Sequence, residues 1–352
     1  MNSITEKIKR KIEKWMAIHI SEKKYYKYLF ISYWNYLLHR NRCISENEIK
    51  ELVFVSAGMN YGAGIAHQMH CWCSGYMIAK ENKATYAAPS FWINGGHSEP
   101  DDYIEKCKIG ELKITENSKI WDEILGFNQS EKTVEQLLAE GYKIRKLPYY
   151  SFETEEKIKE FIGIINSYRG KKVIVVPAID QRPIYPSENE KALLMREKFW
   201  NSSKRKDDDI TYSKDKTNIA VHIRRGDVTQ NSYADRFLDF EYYKNAINAV
   251  IKDLDLELEG TCIYIFSEGK PEDFCYFKMF PNVKICLDWN SKKTFLHMVY
   301  ADAIIAGISG YSVNAAIIGN GKRYVYNNSF TEYCDNLEWV RIDEYGKILK
   351  EE

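Results

Sequence analysis

Two arginines, a histidine and an aspartate stand close together in the segment His222-Ile223-Arg224-Arg225-Gly226-Asp227. The segment follows an apolar run, residues 219 to 221, that is typical of a buried strand. An arginine side chain stays charged and presents paired N–H donors in one plane, which suits bidentate binding of a phosphate group. The sequence therefore predicts a phosphate-binding site at the carboxyl end of a strand.

The alternation of side chains along a strand limits which of these residues can contact the same phosphate group. Arg224 and Arg225 are expected on opposite faces, with Arg224 on the same face as His222. One arginine is therefore expected to reach the phosphate, while the other pairs with a carboxylate such as Asp227. Two further interpretations stay open: a surface salt-bridge cluster of the same residues, and an exposed Arg-Gly-Asp adhesion tripeptide.

A second polar segment, Ile308-Ser309-Gly310-Tyr311-Ser312, precedes a helical pattern that begins at Val313. Free backbone N–H groups and the positive end of the helix dipole favour an anion at such a position. The candidate phosphate ligands in this segment are Ser309, Gly310, Tyr311 and Ser312. An ordinary helix cap by Ser312 is the alternative, and capping is compatible with phosphate binding.

A third segment contains Gly62 and Gly64, between a short strand pattern at residues 52–55 and a helical pattern at 67–80. Both glycines are candidate ligand contacts, although the third glycine of a dinucleotide-binding fingerprint is absent. Histidines and cysteines follow them at His67, His70, Cys71 and Cys73. Their spacing matches no standard zinc site and their neighbours are apolar, so we predict no metal ion.

Strand and helix patterns alternate regularly around the segments 222–227 and 308–312. Strands are predicted at 218–223, 262–266, 283–286, 303–306 and 323–326, and helices at 241–252, 271–277, 293–300 and 313–318. Such alternation predicts a parallel sheet with helices on both faces, whose ligands bind beyond the carboxyl ends of the strands. The loops after Ile223, Phe266 and Ala306 are therefore expected to share one crevice.

The chain of 352 residues is longer than one hydrophobic core usually organises. We predict a helical extension over residues 1–45, an α/β domain over 46–205 and a Rossmann-like domain over 206–352. The polar stretch 201–216 is the predicted linker. In the first half, strand patterns occur at 84–88, 142–147 and 172–176, and helical patterns at 154–168 and 188–199.

Composition excludes several classes of protein. Lys and Arg together number 50, as do Asp and Glu, and this balance argues against a nucleic-acid partner. The scattered cysteines within apolar runs indicate reduced thiols. The first 25 residues lack the apolar core of a signal peptide, and the apolar stretch at 28–38 is shorter than the roughly 20 residues of a membrane span. We expect a cytoplasmic protein without a transmembrane segment, and peripheral membrane contact of residues 28–38 stays open.

The three segments together resemble the fucosyltransferases that carry a His-x-Arg-Arg-x-Asp motif, most closely the alpha-1,6-fucosyltransferases that act on core N-glycans or chitin oligosaccharides. The motif matches residues 222–227. Residues 62–79, GAGIAHQMHCWCSGYMIA, are similar to the family's glycine-rich N-terminal segment, and residues 300–312, YADAIIAGISGYS, to its C-terminal phosphate loop. The alpha-1,2-fucosyltransferases share the motif and a serine-rich loop, so the linkage stays open.

The resemblance implies a GT-B-like α/β fold, with an N-terminal acceptor domain and a C-terminal Rossmann-like donor domain. It implies inverting transfer of fucose from GDP-fucose to a hydroxyl of a glycan acceptor, with no metal or other cofactor. In this chain Arg224 would bind the β-phosphate and His222 would lie near the nucleoside. Ser309, Gly310 and Tyr311 would form the phosphate loop.

The chain departs from the family pattern at two positions. Thr294 stands where the family has an aspartate that binds guanine, with Asp288 nearby. The family's catalytic glutamate has no glutamate counterpart, and Asp235 is the nearest carboxylate, which makes it the predicted general base. The alternatives are therefore a GT-B transferase that uses another nucleotide sugar, and a catalytically inactive glycan-binding relative.

Overall fold

The computed structural model describes residues 51–59, 63–91, 116–149, 165–166, 168–178, 188–203, 210–327 and 337–349. The chain divides into two compact units, residues 1–122 with 128–187, and residues 123–127 with 188–352. The predicted helical extension lies outside the described residues, as does most of the predicted helix at 154–168. Within the described ranges, no helix combines the length and the apolar character needed to cross a membrane.

The first unit is built on a parallel sheet. The strands are β1 (Phe54–Val55), β2 (Thr85–Ala88), β3 (Lys132–Thr133), β4 (Lys143–Tyr149) and β5 (Val173–Ala178), and the helices are α1 (Ile65–Glu81), α2 (Glu116–Leu125) and α3 (Val134–Ala139). The strand order is β3-β2-β1-β5-β4, with every pair parallel. The loop after β1 therefore lies where the strand order reverses.

Helix α1 packs closely on the end of β1. A Cβ atom at Gly75 would lie 2.7 Å from the Cα atom of Ala57, so only glycine allows this approach. Cys71 and Cys73 are buried free thiols on the same helix, and Trp72 is fully buried, with its indole N–H donating to Asn128. The side chains that follow the glycine segment therefore belong largely to the core.

The second unit contains a longer parallel sheet. Its strands are β6 (Thr217–His222), β7 (Thr261–Ser267), β8 (Val283–Leu287), β9 (Ala303–Ala306), β10 (Lys322–Tyr326) and β11 (Trp339–Ile342). Its helices are α4 (Glu188–Trp200), α5 (Phe240–Asp253), α6 (Ser291–Tyr300) and α7 (Gly310–Ile318), with short 3-10 turns at Ala234–Arg236 and Cys275–Met279. The strand order is β11-β10-β9-β6-β7-β8.

This order is that of a doubly wound nucleotide-binding sheet. Counted from β6 as the first strand, the sheet runs 3-2-1-4-5-6, and its order reverses between β6 and β9. Ligands bind such sheets outside the carboxyl ends of the strands at this switch point. The predicted α/β class, with two parallel α/β units and a Rossmann-like C-terminal part, is confirmed.

One predicted helix, at residues 271–277, is instead a short 3-10 turn. Phe274, Phe277 and Phe280 are all buried and are spaced by three residues. A spacing of three fits the three residues per turn of a 3-10 helix better than the 3.6 of an α-helix. Strand β11 was not predicted at all.

Helix α4 belongs to the second unit, which includes residues 188–352. The Arg196 guanidinium on α4 donates to the carbonyl oxygens of Ile317, Ile318 and Gly319 at 2.7, 3.0 and 2.5 Å. These bonds fix α4 to the carboxyl end of α7. Helix α4 therefore packs with the second sheet's helices.

Arg323 also binds the carboxyl end of α7, and its loss should destabilise the second unit. Its Nε and Nη2 atoms donate to the carbonyl oxygens of Ala316 and Gly319 at 2.7 and 2.6 Å, and the side chain is buried. We expect Arg323→Ala to lower the free energy of unfolding by about 2–4 kcal/mol, because buried helix-end carbonyls lose charged donors. Urea denaturation measures the change.

The matched control is Lys278→Ala, which removes an exposed cationic side chain and should change the free energy of unfolding by less than about 0.5 kcal/mol. Equal stability of the Arg323 and Lys278 variants would contradict a structural role for the Arg323 bonds.

Candidate functional site

The ends of β6 and β9 touch at the switch point. A Cβ atom at Gly307 would lie 2.7 Å from the carbonyl oxygen of His222 and 3.3 Å from its Nδ1 atom. The rings of His222 and Tyr311 lie 5.7 Å apart between centroids. The structure therefore brings together the two segments, 222–227 and 308–312, that the sequence singled out.

His222 carries a buried nitrogen that lacks a partner. Its Nδ1 atom is inaccessible to solvent and makes no hydrogen bond within the described part of the chain. Burial, together with the charge of Arg224, lowers the pKa of His222 to about 3. The imidazole is therefore neutral at neutral pH. Buried polar atoms in folded proteins usually have a hydrogen-bond partner, so this nitrogen is an exception.

Arg224 is held in a fixed plane by Asp227. Its Nε and Nη2 atoms donate to the two carboxylate oxygens at 3.2 and 2.6 Å, and only 13% of the arginine side chain is exposed. The Nη1 atom makes no hydrogen bond to any described residue. The pairing thus orients the guanidinium while leaving donors available for an anion.

Arg225 is engaged in a different way. It donates to the backbone oxygens of Arg224 and Leu238, both at 2.8 Å. Its guanidinium carbon lies 4.3 Å from the centre of the Phe237 ring and 4.9 Å from that of Phe240. Burial lowers the pKa of Arg225. Arg225 therefore joins residues 222–227, called the phosphate segment below, to the start of α5. Asp227 pairs with Arg224 and not with Arg225.

Helix α7 begins at Gly310, three residues before the predicted start. Ser309 occupies the N-cap position, and its side chain makes no capping bond. The first helical hydrogen bond runs from the Val313 N–H to the Ser309 carbonyl oxygen at 3.0 Å. The N–H groups of Gly310, Tyr311 and Ser312 consequently precede that bond and have no partner within the helix. The anion cradle at these groups stays a prediction.

The hydroxyl groups of Tyr311 and Ser312 donate hydrogen bonds to backbone carbonyl oxygens, and the Ser309 hydroxyl makes no capping bond. The Ser312 hydroxyl is buried and donates to the carbonyl oxygens of Gly307 and Ser309 at 3.4 and 3.3 Å. The Tyr311 hydroxyl donates to the Ser291 carbonyl oxygen. Ser309, and not Ser312, therefore holds the cap position.

Asp235, the predicted general base, lies in the 3-10 turn after the phosphate segment. Its side chain is 77% exposed, and the contact it makes among the described residues is with Arg236, at 3.8 Å. The structure gives Asp235 no contact with His222 or Arg224 in the described part of the chain.

The remaining predicted residues are more scattered. Gly64 occupies the N-cap position of α1 in the first unit, and Gly62 lies outside the described residues. Thr294 is buried within α6, and Asp288 is exposed with a left-handed backbone at φ 52°. No group of three or more His, Cys, Asp or Glu side chains placed to hold a metal ion occurs in the ranges that the structure describes.

Sequence reasoning missed two residues at the end of β7, Ser267 and Glu268. The Ser267 hydroxyl donates to the carbonyl oxygen of Ile223 at 2.7 Å. Gly226 has a left-handed φ of 77°, and a Cβ atom there would lie 1.8 Å from the Glu268 Oε2 atom. The sequence signal that could have identified Glu268 is its position as the first carboxylate in the loop after Phe266, which was predicted to line the crevice.

Comparisons with known proteins returned solved structures only. No family model and no curated protein sequence matches the chain. A mutant of Arabidopsis thaliana FUT1 in complex with GDP is 10% identical, covers 84% of this chain and 78% of its own, and has a TM-score of 0.38. Fucosyltransferase NodZ from Bradyrhizobium is 11% identical, with coverages of 77% and 93% and a TM-score of 0.35. POFUT1 in complex with GDP is 11% identical, with coverages of 78% and 97% and a TM-score of 0.45.

Proposed function

We propose that the protein is a glycosyltransferase whose second unit binds the diphosphate of a nucleotide sugar. The observation that carries the proposal is that His222, whose Nδ1 atom has no hydrogen-bond partner among the described residues, packs against the start of α7 at the switch point, two residues before the Arg224 guanidinium that Asp227 orients. Each of these groups favours an anionic or hydrogen-bonding ligand. A doubly wound sheet places such a ligand at this edge.

The proposed donor is GDP-fucose, and the proposed acceptor is a hydroxyl group of a glycan. The sugar and the guanine base rest on the resemblance of residues 62–79, 222–227 and 300–312 to the His-x-Arg-Arg-x-Asp fucosyltransferases. Thr294 in place of the guanine-binding aspartate keeps a different nucleotide sugar as the alternative donor.

The proposed reaction is a single inverting displacement. The acceptor oxygen forms a bond to the anomeric carbon while the bond from that carbon to the diphosphate oxygen breaks, so the electron pair leaves with the diphosphate. Arg224 and the N–H groups of α7 would stabilise the negative charge that develops there, which gives the chain its own means of activating the leaving group without a metal ion. A carboxylate must accept the acceptor proton, and Asp235 is the proposed group.

A panel of nucleotides tests the donor class. We expect GDP at 100 times its dissociation constant to stabilise the protein by about 2.7 kcal/mol, which raises the melting temperature by a few degrees, because a ligand that binds only the folded state shifts the unfolding equilibrium. UDP, CDP and dTDP should give smaller shifts. Differential scanning fluorimetry measures each shift.

The Arg224→Ala variant is the control, and its melting temperature should respond little to GDP. A rise in melting temperature with UDP alone would contradict GDP-fucose as the donor and indicate a UDP-sugar. Stabilisation by free oligosaccharide without any nucleotide response would favour an inactive glycan-binding protein and reject the transferase proposal.

A further inference from the structure

The end of β7 is built against the phosphate segment. In the parallel pair of β6 and β7, His222 stands opposite Phe266, so the next residues of both strands leave the sheet side by side. The hydrogen bond from the Ser267 hydroxyl to the Ile223 carbonyl oxygen holds the two strand ends together. Glu268 follows directly and is exposed at the carboxyl end of β7.

The Glu268 carboxylate lies over the glycine of the phosphate segment. Gly226 has no side chain and a left-handed backbone, and the Glu268 Oε2 atom occupies the space that a Cβ atom there would need. The carboxylate is therefore positioned beside the turn that carries Arg224. Its negative charge makes this position unfavourable for a phosphate group and favourable for a group that donates hydrogen bonds.

The order of the strands indicates which part of a nucleotide lies there. A nucleotide whose diphosphate binds at the switch point between β6 and β9 extends along the strand ends, and β7 is the neighbour of β6 on the other side. In doubly wound sheets, an acidic side chain that follows the phosphate turn accepts hydrogen bonds from the ribose hydroxyls. A carboxylate has two oxygens, and the cis 2′- and 3′-hydroxyls of ribose supply two donors.

We infer that Glu268 binds the ribose hydroxyls of the nucleotide, and so makes the site selective for ribonucleotides over 2′-deoxyribonucleotides. The inference rests on the proposed function, because it requires a nucleotide in the crevice. It assigns to Glu268 a binding role that is separate from the leaving-group role of Arg224.

Paired dissociation constants test this assignment. Isothermal titration calorimetry of the full chain with GDP and 2′-deoxy-GDP should give a wild-type preference for GDP of roughly tenfold or more, as expected for a hydrogen bond to a charged group. If the panel selects UDP, then UDP and 2′-deoxy-UDP are the pair. Glu268→Ala should weaken binding of the ribonucleotide about tenfold and bind both nucleotides equally. The matched control, Glu272→Ala, removes an exposed carboxylate from the same loop and should keep the wild-type preference.

The ratio of the two constants separates the inference from a structural role. If Glu268 only supported the turn at Gly226, its loss would weaken both nucleotides alike and leave the preference unchanged, which would overturn the inference. Equal wild-type affinity for the two nucleotides would also overturn it while leaving the proposed function in place. If the wild-type protein binds no nucleoside diphosphate, the proposed function fails and the inference fails with it.

Discussion

Replacing Arg224 by alanine should lower the rate of sugar transfer by about 1,000-fold or more while the second unit stays folded. Single donors to a developing oxyanion contribute about 100- to 1,000-fold to catalysis, and an arginine on a transferring phosphoryl group about 1,000-fold or more. The fold should tolerate the change because, among the described residues, the Arg224 side chain bonds only to Asp227, whose side chain is one-third exposed. Release of GDP from GDP-fucose measures turnover, and circular dichroism measures folding.

Two further variants make the Arg224 result specific. Lys270→Ala removes a positive charge from the exposed loop after β7 and should leave the rate within about twofold. Arg225→Ala should act mainly on stability, because Arg225 ties the phosphate segment to Leu238 and to the Phe237 and Phe240 rings. Wild-type turnover in folded Arg224→Ala would reject the leaving-group role.

Gly307→Ala should abolish nucleotide binding by forcing the two halves of the site apart. The new methyl group would stand 2.7 Å from the His222 carbonyl oxygen and 3.3 Å from both the His222 Nδ1 atom and the Tyr243 hydroxyl. Backbone cannot yield as a flexible side chain does, so β9 and the start of α7 must move away from β6. We expect the dissociation constant for GDP to rise at least about 100-fold, as measured by calorimetry.

Gly260→Ala is the matched glycine control. A Cβ atom there meets only the Glu257 carbonyl oxygen, at the ordinary distance of 3.6 Å, so binding and stability should stay close to wild type. Unchanged GDP affinity in Gly307→Ala would mean that the contact between the strand ends of β6 and β9 is not needed for binding.

The sequence located the second sheet well, because its strands are short apolar runs bounded by polar turns. The predicted strand 303–306 matches β9, and the predicted strand 218–223 differs from β6 by one residue at each end. Alternation with helices then placed the loops after β6 and β9 at one edge, where the structure has them. Local patterns sufficed for this part because the sheet obeys a regular connection rule.

The side-chain partners at the site depend on residues far along the chain. Arg225 contacts the rings of Phe237 and Phe240, which lie 12 and 15 residues further along the chain. The N-cap position at Ser309 is recognised from the backbone hydrogen bond between the Val313 N–H and the Ser309 carbonyl oxygen. The register of β7 beside β6 places Glu268 next to the segment 222–227. Asp235 was predicted as the general base because it is near this segment in sequence, and its side chain is exposed.

The neutral state of His222 has a consequence for the pH–rate profile of the proposed transferase. Its pKa of about 3 keeps the imidazole uncharged in the ligand-free protein throughout the range above about pH 5. The profile of kcat/KM reports ionisations of the free enzyme. In the proposed transferase, an inflection in that profile above pH 5 would therefore come from a group other than His222.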